Sequence, residues 1–142
     1  MKIKLVCVGK IKEKLYKERV NKYLKWIKKD IKIEMILLKD GNKKILNNNL
    51  KKHLYSNYSK TCISQEGVQY SSIKFSKFLF DQNQDLAFFI GGPEGHSEII
   101  KKSIKRSISL STFTMPHEMA LLVFMEQIYR AVQIKKGGIY HR

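Results

Sequence analysis

Apolar residues are grouped along the chain in five short runs, each of which predicts a β-strand. The predicted strands cover residues 2–8, 31–38, 61–65, 85–90 and 108–113. The run that ends at Ile90 contains the uninterrupted apolar segment LAFFI, as expected of a central strand covered on both faces. Glycines and polar residues separate the runs, and Glu66 with Gly67 is expected to form one of these turns.

Between the strands, apolar residues recur at the spacing of one helix face. In residues 14–29, Val20 and Ile27 follow Tyr16 at offsets of 4 and 11, and lysines fill most of the other positions. Similar patterns predict helices over residues 44–56, 72–80, 98–105 and 116–134, with Ser97 capping the fourth helix and Pro116 opening the fifth.

The alternation of strands and helices predicts an α/β fold with a mostly parallel sheet and helices on both faces. The 142 residues contain no linker, repeat or low-complexity segment, so we expect one domain over residues 1–142. Hydrophobic residues make up 43% of the chain, which is enough for a core and excludes a disordered basic tail.

Several classes of protein are disfavoured by what the sequence lacks. Its longest apolar run, residues 119–125, is far shorter than the roughly 18 to 20 residues that a membrane-spanning helix needs. The first residues offer no signal peptide, and we expect a cytoplasmic protein. Cys7 and Cys62 lie in strand runs and are expected to pack as small hydrophobes. No histidine has a partner at metal-ligand spacing, and no metal site is expected.

The charge of the chain is strongly positive and uneven. The formal net charge is +16; residues 1–60 carry 18 basic and 5 acidic side chains, whereas residues 61–142 carry 10 and 7. This asymmetry favours a polyanion-binding surface in the N-terminal half. The alternative is a solvated lysine-rich surface that reflects only the composition of the genome.

Two loops at the predicted carboxyl edge of the sheet have the composition of binding segments. Residues 91–95, GGPEG, follow the most apolar strand, and glycines let a ligand approach the backbone closely. This segment is neither a P-loop nor a dinucleotide fingerprint, and a purely structural turn is the alternative. Residues 110–118, LSTFTMPHE, would line a flat, uncharged ligand with backbone groups, unless Pro116 and His117 serve only to open the helix.

The last helix and the chain end carry a second set of candidate side chains. The helix is apolar almost all round in its first half, which predicts burial against a second subunit. Glu126 and Arg130 are spaced to form an ion pair, either as a structural support or as the wall of an active site. Two glycines then precede a terminal YHR, whose side chains either fold back over a site or fray as an ordinary chain end.

Taken in order, these segments resemble the bacterial ribosomal RNA large subunit methyltransferase H family, a group of small SPOUT methyltransferases. The resemblance spans the whole chain and rests on VGKIK at 8–12, IGGPEG at 90–95, LS and TMPH within 110–117, EQIYRA at 126–131 and YHR at 140–142. It implies a deep trefoil-knotted α/β fold, a homodimer, and S-adenosylmethionine as methyl donor. The implied reaction methylates N3 of a pseudouridine in 23S rRNA of the assembled ribosome.

The resemblance also implies which residues form the site. The implied donor pocket consists of Ile63, Gly91, Leu110, Ser111, Thr112, Phe113, Thr114 and Met115. The implied catalytic residues are His117, Tyr140, His141 and Arg142, and the first three are the candidates for the base that removes the proton from N3.

One departure from the family pattern keeps another class of function open. Relatives carry an arginine four residues after the Pro-His histidine, where this chain has Leu121. If that arginine contacts RNA or the partner subunit, its role is lost here or taken over by a lysine such as Lys101 or Lys135. The rival hypothesis is therefore a non-catalytic, basic, ribosome-associated factor of the same fold. A nucleotide hydrolase is the third hypothesis. It ranks lowest because the chain lacks both a P-loop and an acidic metal-binding cluster.

Overall fold

The computed structural model describes residues 1–141, in which five strands alternate with five helices. The strands are β1 (Lys2–Val8), β2 (Lys32–Leu38), β3 (Ser59–Gln69), β4 (Leu86–Ile90) and β5 (Ser107–Ser109). The helices are α1 (Lys14–Ile27), α2 (Lys43–Leu54), α3 (Ser72–Asp81), α4 (Glu98–Ser103) and α5 (His117–Lys135).

The strands form one sheet in the order β2-β1-β4-β3-β5, and every pair in it is parallel. The central strand is β4, and all its residues are buried, in keeping with its uninterrupted apolar sequence. The α/β fold with a parallel sheet is thereby confirmed. The knot that the resemblance implies stays a prediction, because strand order alone does not define how the chain threads.

Helices cover both faces of the sheet, as predicted. Alternate residues of β1 and β4 point to opposite faces: Leu5 and Phe88 pack with α1, α3 and α5, whereas Val6 and Phe89 pack with α2 and α4. The larger layer is centred on Phe88 and Phe124, whose ring centroids lie 4.9 Å apart. No helix of residues 1–141 is long and apolar enough to cross a membrane.

The two cysteines are both free and buried, and they lie in different layers of the core. Cys7 packs with α1, α3 and α5, and Cys62 packs with α2 and α4. Burial raises the pKa of Cys7 to about 12 and that of Cys62 to about 11, so both are held as neutral thiols. Both side chains act as small hydrophobes.

The third strand differs most from its prediction. Glu66 and Gly67 do not form a turn; they lie within β3, which extends to Gln69. The pairing of β3 with β5 shifts register between Ile63 and Val68, so the strand passes through an irregular segment and then pairs again. The polar, glycine-containing sequence of this segment is typical of a turn, yet the edge position of β5 allows it to remain extended.

Smaller differences from the predictions occur at the ends of other strands and helices. The fifth strand stops at Ser109 because residues 110–113 already turn away from the sheet. Ser97 precedes α4 but makes no side-chain cap, and its hydroxyl has no hydrogen-bond partner within residues 1–141. The apolar surface of α5 is covered in part by its own chain, because α1 and α3 pack on either side of it.

Gly67 is expected to be essential for the pairing of β3 with β5. A Cβ atom there would lie 2.6 Å from the carbonyl carbon of Ser107 and 2.7 Å from that of Ile108, so the backbone of β5 would have to move. We expect Gly67→Ala to lower the free energy of unfolding by about 1–3 kcal/mol. Thermal and urea unfolding measure this change.

Gly41→Ala is the matched control, since a Cβ atom at Gly41 would meet nothing within 4 Å. An equal effect of the two substitutions on stability would contradict the close contact of Gly67 with β5.

Candidate functional site

A cavity of about 760 Å³ lies at the carboxyl edge of the sheet, where β4 and β5 end, the pairing of β3 with β4 stops and α5 begins. This is the edge at which parallel α/β sheets usually bind ligands, and the volume is typical of a small-molecule site. Three segments of the chain form most of its wall: residues 63–66, 90–96 and 110–117. Both loops that the sequence analysis singled out therefore meet in one place.

The first wall is a tight turn made by the glycine segment. Within it, the amide of Gly95 donates to the carbonyl oxygen of Gly92 at 2.9 Å. A Cβ atom on Gly91 would lie 2.8 Å from the carbonyl carbon of Gly95, which itself has a φ of +80°. Only glycine fits at these two positions, because the first has no space for a side chain and the second has a left-handed backbone.

The second wall is the loop after β5, and one side chain of β3 forms hydrogen bonds with two residues of this loop. Gln65 donates to the carbonyl oxygen of Thr112 at 2.5 Å and accepts from the hydroxyl of Thr114 at 3.2 Å. Within the loop, the amide of Phe113 donates to the hydroxyl of Ser111 at 2.9 Å. Phe113 is left 82% exposed at the rim of the cavity. The sequence analysis missed Gln65, which it assigned only to a strand.

The residues that the resemblance implied for the donor pocket lie together at this cavity. Seven of them line it: Ile63, Gly91, Leu110, Ser111, Phe113, Thr114 and Met115. The eighth, Thr112, is not part of the lining, but its carbonyl oxygen binds Gln65 and so fixes the loop. That these residues bind a methyl donor stays a prediction.

Of the candidate catalytic residues, His117 lies at the cavity. It is the first residue of α5, and its ring lies next to Gly9, so that a Cβ atom on Gly9 would come within 3.3 Å of Nε2. Within residues 1–141, the buried Nε2 atom has no hydrogen-bond partner. The left-handed φ of +97° at Gly9 and its missing side chain make room for this ring.

Tyr140 and His141 lie elsewhere, against the middle of α5. The Tyr140 hydroxyl donates to Glu126 at 3.3 Å, and the Arg130 guanidinium donates to Nδ1 of His141 at 3.0 Å. Glu126 lies nine positions after His117 on α5, or about 14 Å along the helix. One chain therefore does not bring all the candidates together. The fourth candidate, Arg142, lies outside the described residues.

The predicted ion pair of Glu126 and Arg130 is confirmed and organises the chain end. A guanidinium nitrogen of Arg130 lies 2.6 Å from a carboxylate oxygen of Glu126, and each side chain is only about a fifth exposed. Burial is the largest cause that raises the pKa of Tyr140 to about 12, and hydrogen bonding to Tyr23 and the charge of Glu126 raise it further. In this arrangement Tyr140 is held as a neutral phenol that donates a hydrogen bond to Glu126.

His96 is the second side chain that the sequence analysis missed. It ends the glycine turn, lines the cavity, and donates from Nε2 to the carbonyl oxygen of Ile63 at 2.7 Å. Leu121, by contrast, is 3% exposed and packs in the core, so it faces neither the cavity nor the solvent. Within residues 1–141 no group of three or more His, Cys, Asp or Glu side chains is placed to hold a metal ion.

Comparison with known proteins shows which family this chain is similar to. The family model for predicted SPOUT methyltransferases matches residues 1–141. The chain is 38% identical to "Ribosomal RNA large subunit methyltransferase H" of Coprothermobacter proteolyticus and 36% identical to that of Streptococcus uberis, over the full length of both proteins in each case.

A protein of the same name from Dictyoglomus thermophilum is 38% identical over 99% of each chain. Among solved structures, a probable methylase family protein from Haemophilus influenzae superimposes with a TM-score of 0.57. The match covers 99% of this chain and 70% of that one at 10% identity, and it supports the fold alone.

The ion pair on α5 predicts how the chain end responds to substitution. Glu126→Gln removes the charge that Arg130 and Tyr140 share, so we expect a loss of about 1–3 kcal/mol in the free energy of unfolding. Trypsin should then cleave after Lys135 and Lys136 several times faster. Unfolding curves and a time course of proteolysis measure both effects.

The matched control is Glu98→Gln, which breaks an ion pair with Lys101 that is more than half exposed. Such surface pairs contribute little, and we expect no measurable change. A Glu126→Gln protein as stable and as resistant to trypsin as the wild type would contradict the role of the pair.

Proposed function

Since the chain belongs to the ribosomal RNA large subunit methyltransferase H family of the SPOUT methyltransferases, we propose that it is a 23S rRNA methyltransferase. The proposed reaction transfers the methyl group of S-adenosylmethionine to N3 of a pseudouridine on the assembled ribosome. The observation that carries the proposal is the cavity at the carboxyl edge, to which the chain brings seven of the eight implied donor residues.

The cavity suits the methyl donor in size and chemistry. Its wall holds two formally charged side chains, Glu66 and Lys101, and consists otherwise of glycine, apolar and uncharged polar residues. The space a Cβ atom on Gly91 would need is already taken by the turn, so backbone atoms rather than a side chain face the ligand there. When bound, the donor supplies an electrophilic methyl group on a sulfonium sulfur.

The main contribution of the protein to methyl transfer is to align the reacting groups. The transfer is an in-line displacement, in which correct placement of the methyl carbon and the attacking nitrogen lowers the barrier by up to about 7–11 kcal/mol. The N3 proton must also leave, which requires a base. His117 is the candidate at the cavity. Tyr140, as a neutral phenol, and His141, whose Nδ1 already accepts from Arg130, are suited to binding the substrate.

A homodimer explains the separation of the two groups of candidate residues. Tyr140 binds Glu126, which lies about 14 Å along α5 from His117. His141 binds Arg130, about one helical turn farther along. A second copy would therefore have to bring its chain end to the donor cavity. Met119, on the first turns of α5, is 37% exposed and is part of the apolar surface that such a partner would cover.

The charge distribution supports rRNA on the ribosome as the substrate. The net charge of +13 in residues 1–60 includes Lys17 and Lys25 on α1 and Lys28 directly after it, all of which are exposed. Lysines contact phosphates without reading base sequence, and the shape of the assembled ribosome would then select the nucleotide. Activity on free RNA is expected to be minimal.

Calorimetry separates the enzyme from a non-catalytic factor of the same fold, which need not bind the donor. We expect S-adenosylmethionine to bind the wild-type protein, and Gly91→Ala to weaken binding at least about tenfold because its Cβ displaces the turn. Gly41→Ala, on an open loop, is expected to bind as the wild type does. A wild-type protein without detectable binding would support the non-catalytic factor.

The proposed contacts with phosphates predict a steep dependence on salt. The logarithm of the ribosome-binding constant should fall linearly with the logarithm of salt concentration, with a slope of about −0.7 to −0.9 per neutralised phosphate. Replacing Lys17, Lys25 and Lys28 by glutamine should reduce that slope. Filter binding between 50 and 300 mM potassium chloride measures it, and an affinity independent of salt would count against the proposed surface.

A further inference from the structure

The ring of His96 stands between the cavity described above and a second, smaller cavity. The second cavity, of about 390 Å³, is lined by residues of α2, α4 and the end of β1. The two share part of their walls, namely Ile90, Gly92, Gly95, His96 and Lys101. The glycine turn thus forms a partition between the two cavities. Gly92 packs closely on the end of β1, where a Cβ atom would lie 3.0 Å from the Val8 side chain, but on the side of β3 the turn faces the first cavity.

The bond from His96 ties this partition to the sheet. Its acceptor, the carbonyl oxygen of Ile63, lies 2.7 Å from Nε2 and belongs to a residue that is only 8% exposed. Because a carbonyl oxygen only accepts, Nε2 must carry the proton. Ile63 forms the last pair between β3 and β4, and the register of β3 with β5 shifts directly after it. The bond therefore acts where the regular pairing of β3 stops.

On the side of β3 the turn has few other contacts that fix its shape. Its internal bond, from Gly95 to Gly92, is local and does not reach β3. Glycine at 91, 92 and 95 leaves the backbone more conformational freedom than any other residue would. The side chain of His96 is what connects the turn to a strand 33 positions earlier in the chain.

We propose that His96 is a positioning residue for the methyl donor, and that its bond to Ile63 holds the glycine turn in the shape the donor requires. This inference rests on the proposed function, because it assigns the cavity to the donor. The bond prepares the cavity before binding, so its loss costs affinity. His96 is not placed at the reacting atoms, and the turnover of the saturated enzyme should change little.

The state of the ring agrees with this role. Burial lowers the pKa of His96, the positive charge of Lys101 lowers it further, and the bond to Ile63 acts in the opposite direction. The ring is therefore neutral at pH 7, with its proton on Nε2 and a lone pair on Nδ1. A long-range proton–nitrogen NMR spectrum of the wild-type protein distinguishes this tautomer from the one with the proton on Nδ1.

Two substitutions separate the hydrogen bond from the volume of the side chain. His96→Leu keeps most of the volume and removes the donor, and we expect Kd and KM for S-adenosylmethionine to rise at least about tenfold. His96→Gln keeps an N–H group near the place of Nε2, and we expect values within about threefold of the wild type. With unmethylated ribosomes as substrate, kcat at saturating donor should stay within about twofold for both.

His53→Leu is the matched control. This histidine is also partly buried and bound to another side chain, Lys4, but it lies on α2 and lines neither cavity. We expect its donor affinity to equal that of the wild type. A loss of donor affinity in His53→Leu as large as that in His96→Leu would mean that any loss of stability weakens donor binding. This result would overturn the proposal.

Three other results would also overturn the proposal. They are a wild-type affinity for the donor in His96→Leu, equal losses of donor affinity in His96→Leu and His96→Gln, or a His96 ring with its proton on Nδ1. If His96→Leu does not fold, the affinity of His96→Gln and the tautomer decide the matter. A wild-type protein that binds no donor would refute the proposed function itself, and the NMR spectrum would still test the bond to Ile63.

Discussion

The site depends on the irregular segment within β3. Between Ile63 and Val68 this strand leaves its pairing with β4 and changes register against β5, so that its backbone and side chains become free to bind loops. Ile63 accepts from His96 of the glycine turn, and Gln65 forms hydrogen bonds with two residues of the loop after β5. Two loops from distant parts of the chain are thereby fixed to one strand, and the cavity is the space between them.

This arrangement explains why small and uncharged residues form most of the wall. Loops at the edge of a sheet lack the continuous backbone pairing of strands, so they need specific bonds to hold a shape. Here the bonds come from Gln65 and His96, while Gly67 and Gly91 permit the close approach of backbones. The charged groups of α5 lie farther along the helix, where Glu126, Arg130 and Tyr140 form a separate network.

Local patterns predicted most of the fold and part of the site. Strand β1 and the buried β4 match their predictions closely, because their apolar runs are bounded by glycine or polar residues. The sequence QEG of β3 has a local preference for a turn, and the pairing with β5 overrides it. Gln65 and His96 were missed because their bonds span 47 and 33 positions, which no local pattern reports. The separation of Tyr140 from His117 likewise depends on how the chain end packs.

The proposed reaction is tested by mapping modified nucleotides in 23S rRNA from cells with and without the gene. We expect one N3-methylated pseudouridine that disappears on deletion, returns with the wild-type gene, and does not return at wild-type level with Gly91→Ala. Identical modification patterns with and without the gene would contradict the proposed reaction.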